Sequence, residues 1–175
     1  MRFVRFTHAS FPIEKNEDLE IIISEPNSRF NWKRQIDIAL KTESCVIVQQ
    51  DVEFSLAQKR KMLEEIAKTP TIPISAPTVL YPKSTNLPAP VFNGRIITNF
   101  INENNYETRW INFSDRFCDL PALDCVYIPT EIFQDFKFKE DSPPYQFDAD
   151  IGKFFYLKNI KTRLVWEIMP QHYHY

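Results

Sequence analysis

The chain contains only two glycines, Gly94 and Gly152, beside thirteen prolines. A Rossmann G-x-G-x-x-G turn or a P-loop needs glycines where the backbone approaches phosphate groups. Two glycines so far apart can form neither motif, so a bound diphosphate has to be held by a metal ion or by basic side chains. Few glycines and proline-rich loops also lower the entropy of the unfolded chain, which suits a protein from a hot habitat.

Size and composition indicate one globular domain. The 175 residues are enough to bury a sizeable core, and 43% apolar with 25% charged residues is usual for a folded protein. We therefore expect a single domain over residues 1–175. The formal net charge is −2 and both signs are mixed along the chain, which argues against nucleic acid as the main partner.

No segment has the features of a membrane anchor or a secretion signal. No apolar run approaches the roughly 18 to 20 residues of a membrane span, and the first residues alternate charged and bulky side chains. The three cysteines, Cys45, Cys118 and Cys125, are odd in number and lack zinc-site spacing. We expect a soluble, cytoplasmic protein in which Cys45 and Cys125 are buried apolar residues.

Predicted strands and helices alternate along the chain, which favours an α/β sheet. Strands or extended segments are predicted at residues 2–7, 19–23, 45–48, 71–81, 108–113, 123–128 and 163–168. The first helix follows a cap at Ser28 and ends near Thr42. The second begins at a capping box, Ser55 to Gln58. The apolar face predicted for this second helix consists of Leu56, Leu63, Ile66 and Ala67.

The second half of the chain gives weaker signals. A short helix is predicted from the spacing of four apolar residues, Ile96, Ile97, Phe100 and Ile101. Pro129 can open a helical turn. A late helix is predicted from one apolar stripe, Phe147, Ile151, Phe154 and Phe155. The proline-rich segment 82–94 is too long for a simple connection, and such loops are often functional.

Asp51 and Glu53 follow the most strongly predicted interior strand, residues 45–48. Ligands of open α/β sheets gather at the carboxyl ends of strands. In an extended segment, residues two apart point to the same side, so both acids can face one pocket while Val52 turns to the core. Two carboxylates suit Mg²⁺ or Mn²⁺ bridging to substrate phosphates. Acids at a strand end can equally be ordinary surface residues or helix caps.

In residues 29–54 a predicted helix leads into the apolar strand, which ends in the acid-x-acid motif. Two further segments belong to the same pattern. They are Leu-Asp-Cys-Val-Tyr-Ile-Pro at 123–129 and the chain end at 166–175, which contains His172 and His174. In order and spacing these segments resemble small GT-A glycosyltransferase-like proteins, which are frequent in viral genomes. The resemblance is loose but covers most of the chain. It departs from the family at Glu53, where relatives carry Asp, and at Asp124, where they often carry Gly.

The resemblance implies a GT-A-like three-layer α/β/α sandwich with a central, mostly parallel mixed sheet. It also implies a metal-dependent glycosyltransferase, which moves a sugar from a nucleoside-diphosphate donor to a hydroxyl acceptor on a glycan or glycoprotein. Together with the heat-adapted composition it suggests a virus of hot-spring archaea, with the protein in the host cytoplasm.

Roles for individual residues follow from the same resemblance. Asp51 and Glu53 are expected to hold Mn²⁺ or Mg²⁺, with His172 completing the metal shell. Asp51 is also expected to contact the nucleotide sugar. A catalytic base is expected near the start of the late helix, where Asp148 is the first candidate and Asp150 the second.

Two further nucleotide contacts are predicted. They are Thr7, at the end of the first strand, and Arg29, at the start of the first helix. The ordinary alternatives are helix-capping aspartates, a solvated basic helix face and an aromatic chain end packed on the sheet.

Two other functions remain open from the sequence. The first is a GT-A-fold module that has lost catalysis and binds a glycan or a partner protein through the 82–94 loop, since fold does not fix function. The second is a nuclease or phosphoryl-transfer enzyme, which also uses paired acids and a metal. The nuclease ranks last because the sequence shows no basic groove for its substrate.

Overall fold

The computed structural model describes residues 1–8, 20–24, 31–49, 51–82, 97–109, 112–120, 123–140 and 146–174. Within these ranges the four helices are α1 (Asn31–Thr42), α2 (Leu56–Lys68), α3 (Thr130–Phe133) and α4 (Gln146–Leu157). The strands are β1 (Arg2–His8), β2 (Glu20–Ser24), β3 (Cys45–Gln49), β4 (Val52–Glu53), β5 (Ile74–Ser75), β6 (Val79–Pro82), β7 (Ile97–Asn102), β8 (Asn105–Arg109), β9 (Phe117–Cys118), β10 (Cys125–Ile128), β11 (Thr162–Leu164) and β12 (Gln171–His174).

A mixed seven-stranded sheet forms the centre of the described fold, in the order β2-β1-β3-β10-β5-β11-β9. Strand β1 pairs in parallel with β2 and β3, and β5 pairs in parallel with β11. Strands β10 and β9 run antiparallel to their neighbours. The protein is therefore a mixed α/β protein, as the alternation of predicted elements indicates.

Strand β3 is buried on both faces, as its apolar run predicts. Cys45 and Ile47 belong to one apolar cluster, which includes side chains of α1, α3 and α4. Val46 and Val48 belong to a second cluster, which includes Met62 and Ile66 of α2. Because side chains alternate across a strand, the two clusters lie on opposite faces of the sheet.

Two smaller sheets accompany the central one. Strands β4, β12 and β6 form a three-stranded sheet with β12 in the middle. Strands β7 and β8 form an antiparallel hairpin in which Phe100 pairs with Tyr106. Strand β12 lies beside β4, which directly follows β3 in the chain, because His172 pairs with Val52.

Most of the strongly patterned elements are confirmed. Helix α1 ends at Thr42, and α2 begins with the predicted capping box, in which Ser55 and Gln58 bond to each other's backbone N–H. Helix α4 buries Phe147, Ile151 and Phe155. Helix α3 is the helical turn expected after Pro129.

Two local predictions are wrong, and one strand is shorter than predicted. The segment predicted as a short helix around Ile97 and Phe100 is strand β7, because pairing with β8 satisfies its backbone. Helix α2 also turns a different face to the core: Leu56 and Leu63 are exposed, whereas Lys59, Met62, Glu65 and Ile66 are buried. Strand β11 is shorter than predicted and ends at Leu164.

All three cysteines are buried and unpaired, as expected for Cys45 and Cys125. Burial raises the pKa of the Cys45 thiol to about 12, so this thiol is not a nucleophile near neutral pH. Within the described ranges, no helix combines the length and the apolar character that crossing a membrane requires.

Candidate functional site

Asp51 lies in the turn between β3 and β4, at the carboxyl end of the central strand. Arg5 of β1 donates a hydrogen bond from Nη2 to the carbonyl oxygen of Val52 at 2.9 Å, which ties the turn to the central sheet. The side chain of Val52 is buried in the core. The start of β4 is therefore held both by its backbone and by its side chain. The Asp51 carboxylate is thus carried by an anchored turn.

Asp124 lies beside the same end of β3 because it directly precedes β10, the antiparallel neighbour of β3. The amide of Gln49 donates to the carbonyl oxygen of Asp124 at 2.8 Å, which continues the pairing by one residue. The hydroxyl of Thr78, just before β6, donates to Oδ2 of Asp124 at 3.2 Å. Two acids that are far apart in sequence therefore meet at one edge of the sheet.

His172 of β12 lies between these two carboxylates and is completely buried. Its Nε2 is 3.1 Å from Oδ2 of Asp51, and its Nδ1 is 3.3 Å from Oδ2 of Asp124. We call Asp51, Thr78, Asp124 and His172 the acid–histidine cluster. It joins the central sheet to the three-stranded sheet through buried charges.

The charge state of His172 follows from these contacts. Burial by itself lowers the pKa of an imidazole, but the contacts with Asp124 and Asp51 outweigh burial and raise the pKa of His172 to about 9. The ring is consequently an imidazolium near neutral pH. With both nitrogens facing carboxylates, it offers no lone pair to a metal ion in this state.

Two buried oxygens of the cluster have no hydrogen-bond partner among the described residues, Oδ1 of Asp51 and Oδ1 of Asp124. An orphaned buried carboxylate oxygen is costly unless a cation or a donor satisfies it. Within the described residues, however, no group of three or more His, Cys, Asp or Glu side chains is arranged to hold a metal ion. Asp51 can supply one ligand, and the rest of a shell has to come from elsewhere.

Glu53 does not join the cluster. Its side chain is exposed on β4, where the residue pairs with Gln171. The two cavities described below are lined by neither Asp51 nor Glu53. A pocket shared by these two acids stays a prediction.

Asp148 and Asp150 lie near the start of α4, which also places them toward the carboxyl end of the sheet, since α4 packs on the sheet and leads into β11. Lys33 of α1 is buried near them. Burial lowers the pKa of Lys33, while the charges of Asp150 and Asp148 act in the opposite direction. Lys139 forms an ion pair with Asp150 at 3.5 Å.

A small cavity of about 250 Å³ adjoins this second acidic group. Asp150 lines it, whereas Asp148 does not. The other side chains that enclose it come from the β7–β8 hairpin, from α4 and from Lys139, which precedes α4; among them are Tyr106 and Lys153. Of the two carboxylates predicted as bases, Asp150 is the one with adjacent space for a ligand.

Other predicted contacts fall outside what the structure describes. Arg29 and most of the 82–94 loop lie outside the described residues. Thr7 lies within β1, but its side chain is outside the described part. The role of these residues stays a prediction.

Thr78 and Asp124 are the residues of the cluster to which the sequence by itself assigns no role. A signal for Asp124 was available, because an acid directly before a strand and an acid after its antiparallel partner meet at the same sheet edge. Using that signal requires knowing that β10 is antiparallel to β3, which the sequence does not state.

Comparisons with known proteins support the fold and leave the function open. No protein-family profile and no curated protein sequence matches the chain. Among solved structures, the chain is similar to A197 of STIV, a virus of hot-spring archaea, with a TM-score of 0.59 and 15% identity. The match covers 100% of this chain and 86% of that chain. At this identity the likeness shows a shared fold alone.

A second structure is more distant. It is a Bacillus anthracis protein assigned as a glucose-1-phosphate thymidylyltransferase, in complex with a sucrose, with a TM-score of 0.39 and 10% identity. The match covers 90% of this chain and 57% of that chain. A TM-score of this size does not show a common fold.

Proposed function

We propose that the protein is a GT-A-type glycosyltransferase, which transfers a sugar from a nucleoside-diphosphate donor to a hydroxyl group of a glycan or glycoprotein. The observation that carries the proposal is Asp51. Its carboxylate stands on an anchored turn at the carboxyl end of the central strand, where ligands of open α/β sheets bind. Its buried Oδ1 lacks a donor among the described residues, so a cation or a ligand hydroxyl would satisfy it.

The donor set fits a divalent cation in part. Asp51 would supply one oxygen ligand, and two carboxylates beside one imidazolium leave the acid–histidine cluster with a net negative charge. Mg²⁺ and Mn²⁺ are commonly held by one or two carboxylates together with substrate phosphates. A bound cation would neutralise charge on the departing diphosphate. His172 would hold Asp51 in place, and Glu53 would become a ligand only by turning inward.

The proton of the acceptor hydroxyl would be taken by a carboxylate of α4. Asp150 lines a cavity that could admit the acceptor, and Lys33 and Lys139 lie beside it. Asp148 is the neighbouring candidate. Both lie at the same end of the sheet as Asp51, which a direct transfer between donor and acceptor requires.

The remaining features of the proposal follow from the fold and the composition. Apolar clusters on both faces of a mixed sheet agree with a three-layer α/β/α arrangement of the GT-A type. We also propose a viral protein that acts in the host cytoplasm without nucleic acid as a partner. The likeness to A197 of STIV agrees with that origin but gives no activity.

Calorimetry with uridine and guanosine diphosphates, each with and without Mn²⁺, tests the proposal. We expect binding of at least one nucleotide to depend on Mn²⁺, and Asp51→Asn to weaken that binding by at least about tenfold. Glu64→Gln is the matched control, because it removes one carboxylate from an exposed position on α2. If the native chain shows no metal-dependent nucleotide binding, the transferase proposal is wrong.

A binding module without catalysis is the second candidate, and one observation favours it. His172 already contacts both carboxylates of the cluster, and Glu53 is exposed, so the imidazolium offsets part of the negative charge without a metal ion. In that case Asp51→Asn would leave glycan or partner binding unchanged. Mn²⁺ would then not stabilise the protein against heat.

A further inference from the structure

A groove of about 710 Å³ runs between α2, the edge strand β9 and its neighbour β11. Its volume lies in the range that ligand pockets usually occupy. None of its lining residues belongs to the acid–histidine cluster or to the Asp150 cavity. The groove is therefore a separate feature of the surface.

One wall of the groove is aromatic. Phe113 and Trp166 are in contact, with ring centroids 4.8 Å apart, and Phe117 lies beside them. Phe113 is 52% exposed and Phe117 is 55% exposed, although such rings are usually buried. The indole N–H of Trp166 donates to the carbonyl oxygen of Asp115 at 2.8 Å, which fixes the orientation of that ring.

The segment that carries this wall is held rigidly. Asp115 accepts two hydrogen bonds from Arg109, at 2.6 and 2.8 Å, and a third from the amide of Asn112. Arg116 donates to the carbonyl oxygen of Phe113 at 2.6 Å. Aromatic rings on a fixed backbone lose little freedom when a ligand packs against them.

The opposite wall supplies charge. Glu65 is already paired with Lys68 at 2.6 Å and with Arg163 at 3.0 Å. Lys61 lines the groove one helical turn earlier and has no ion pair with a described residue. Lys61 on this wall and Arg116 beside the aromatic rings add positive charge, and Glu167 is the remaining acid in the lining.

We propose that this groove binds an acidic saccharide, namely a short oligosaccharide that carries carboxylate or sulfate groups. The apolar C–H faces of its rings pack on Phe117 and Trp166, and its anionic group meets Lys61 and Arg116. Glu167 accepts hydrogen bonds from sugar hydroxyls. A nucleic acid strand needs a longer basic stripe than Lys61 and Arg116 provide. The proposal does not depend on the activity at Asp51, because the two sites share no residue.

Binding of trigalacturonate to the full chain tests the proposal, measured by calorimetry and by tryptophan fluorescence. Maltotriose serves as the neutral saccharide and a thymidine hexanucleotide as the nucleic acid probe. We expect saturable binding of trigalacturonate that weakens with salt, and binding of the other two at least about tenfold weaker.

Variants locate the site. Phe117→Ala should weaken trigalacturonate binding about tenfold, since stacking on an aromatic ring is lost. Lys61→Gln should weaken it about threefold to fivefold, as expected for one exposed charge pair. Leu157→Ala is the control for Phe117 because its side chain is 54% exposed and remote on α4. Arg60→Gln, also exposed on α2, is the control for Lys61.

The possible outcomes decide the question. Binding that falls in both groove variants and persists in both controls supports the groove as the site. The proposal is wrong if trigalacturonate does not bind saturably, or if the groove variants bind it as tightly as the native chain. It is also wrong if the hexanucleotide binds more tightly than trigalacturonate. Nucleoside-diphosphate binding at the Asp51 site should be unaffected by Phe117→Ala, so failure of one proposal can be told from failure of the other.

Discussion

At the scale of single residues, His172 is a completely buried side chain that carries a charge. Burial of an imidazolium is unfavourable unless anions compensate for the lost hydration. Asp51 and Asp124 provide that compensation from two sides. These two contacts are the reason that the pKa of His172 is raised despite its burial.

Removing one carboxylate should lower the pKa of His172. In Asp51→Asn the ring keeps its burial and its contact with Asp124 but loses one anion, so we expect its pKa to fall from about 9 by roughly one unit or more. NMR titration of the histidine ring protons measures this change. Glu53→Gln removes an exposed acid nearby and should leave the pKa of His172 unchanged. An unchanged pKa in Asp51→Asn would mean that the contact is absent in solution.

The stability of the fold should fall in alkaline solution. The folded pKa of His172 is raised above its ordinary value of 6.5, so its stabilisation is complete below about pH 6.5 and is lost as the pH rises through about 9. The free energy at stake is about 3 kcal/mol. Urea unfolding at pH 6.5 and pH 10 measures it. His172→Gln should flatten this pH dependence, and an equally steep profile in that variant would contradict the prediction.

At the scale of elements, the start of helix α2 could be predicted from the sequence, but its buried face could not. Its start was predicted because the capping box depends on two residues three positions apart. Its buried face was predicted wrongly. Lys59 and Glu65 are buried because their polar ends find partners, among them Lys68 and Arg163 for Glu65. A pattern of apolar residues cannot reveal partners that lie far away in the sequence.

Gln58 should matter more than an ordinary cap. Its side chain accepts from the amide of Ser55 and also donates to the carbonyl oxygens of Ile168 and Met169, at 2.9 and 3.2 Å. We expect Gln58→Ala to lower the free energy of unfolding by about 2 kcal/mol and Ser55→Ala by about 1 kcal/mol. Denaturant unfolding measures both, with Arg60→Ala as an exposed control on the same helix. Equal losses for the two variants would mean that the long-range bonds contribute nothing.

Strand β7 shows how a partner overrides local pattern. The spacing of Ile97, Phe100 and Ile101 fits one face of a helix. In the structure Phe100 instead packs between the rings of Tyr106 and Tyr156, with centroids 5.2 and 5.5 Å away. Pairing with β8 satisfies the backbone, so the hairpin wins over a short helix that would be marginal by itself.

At the scale of the whole molecule, buried polar groups connect sheets that do not share hydrogen-bonded strands. The acid–histidine cluster connects the three-stranded sheet to the central sheet. Asp119, which is completely buried, connects the hairpin to the central sheet. It accepts from the amide of Phe100 at 2.6 Å and pairs with Lys161. Such connections fix the relative position of elements that apolar packing alone leaves adjustable.

Asp119→Ala should release the hairpin before it unfolds the molecule. The amide of Phe100 loses its acceptor in a buried position, which costs about 1–3 kcal/mol. We expect faster hydrogen exchange throughout β7 and β8, with strands β1 and β3 still protected. Asp135→Ala breaks an exposed Asp–Lys pair and is the control, expected to change neither exchange nor stability. Uniformly faster exchange across all strands would contradict a local role for Asp119.

The sequence by itself determined the α/β class, the buried strand β3, the start of α2 and the presence of an acid after β3. Each of these depends on residues within a few positions of one another, through side-chain alternation, helical spacing and capping. Only the tertiary structure decided that Asp51 meets His172 and Asp124 while Glu53 faces outward. It also decided that Asp150 borders a cavity and that Phe113, Phe117 and Trp166 share a groove. These outcomes depend on strand order and direction, which are set by burial and pairing across the whole chain.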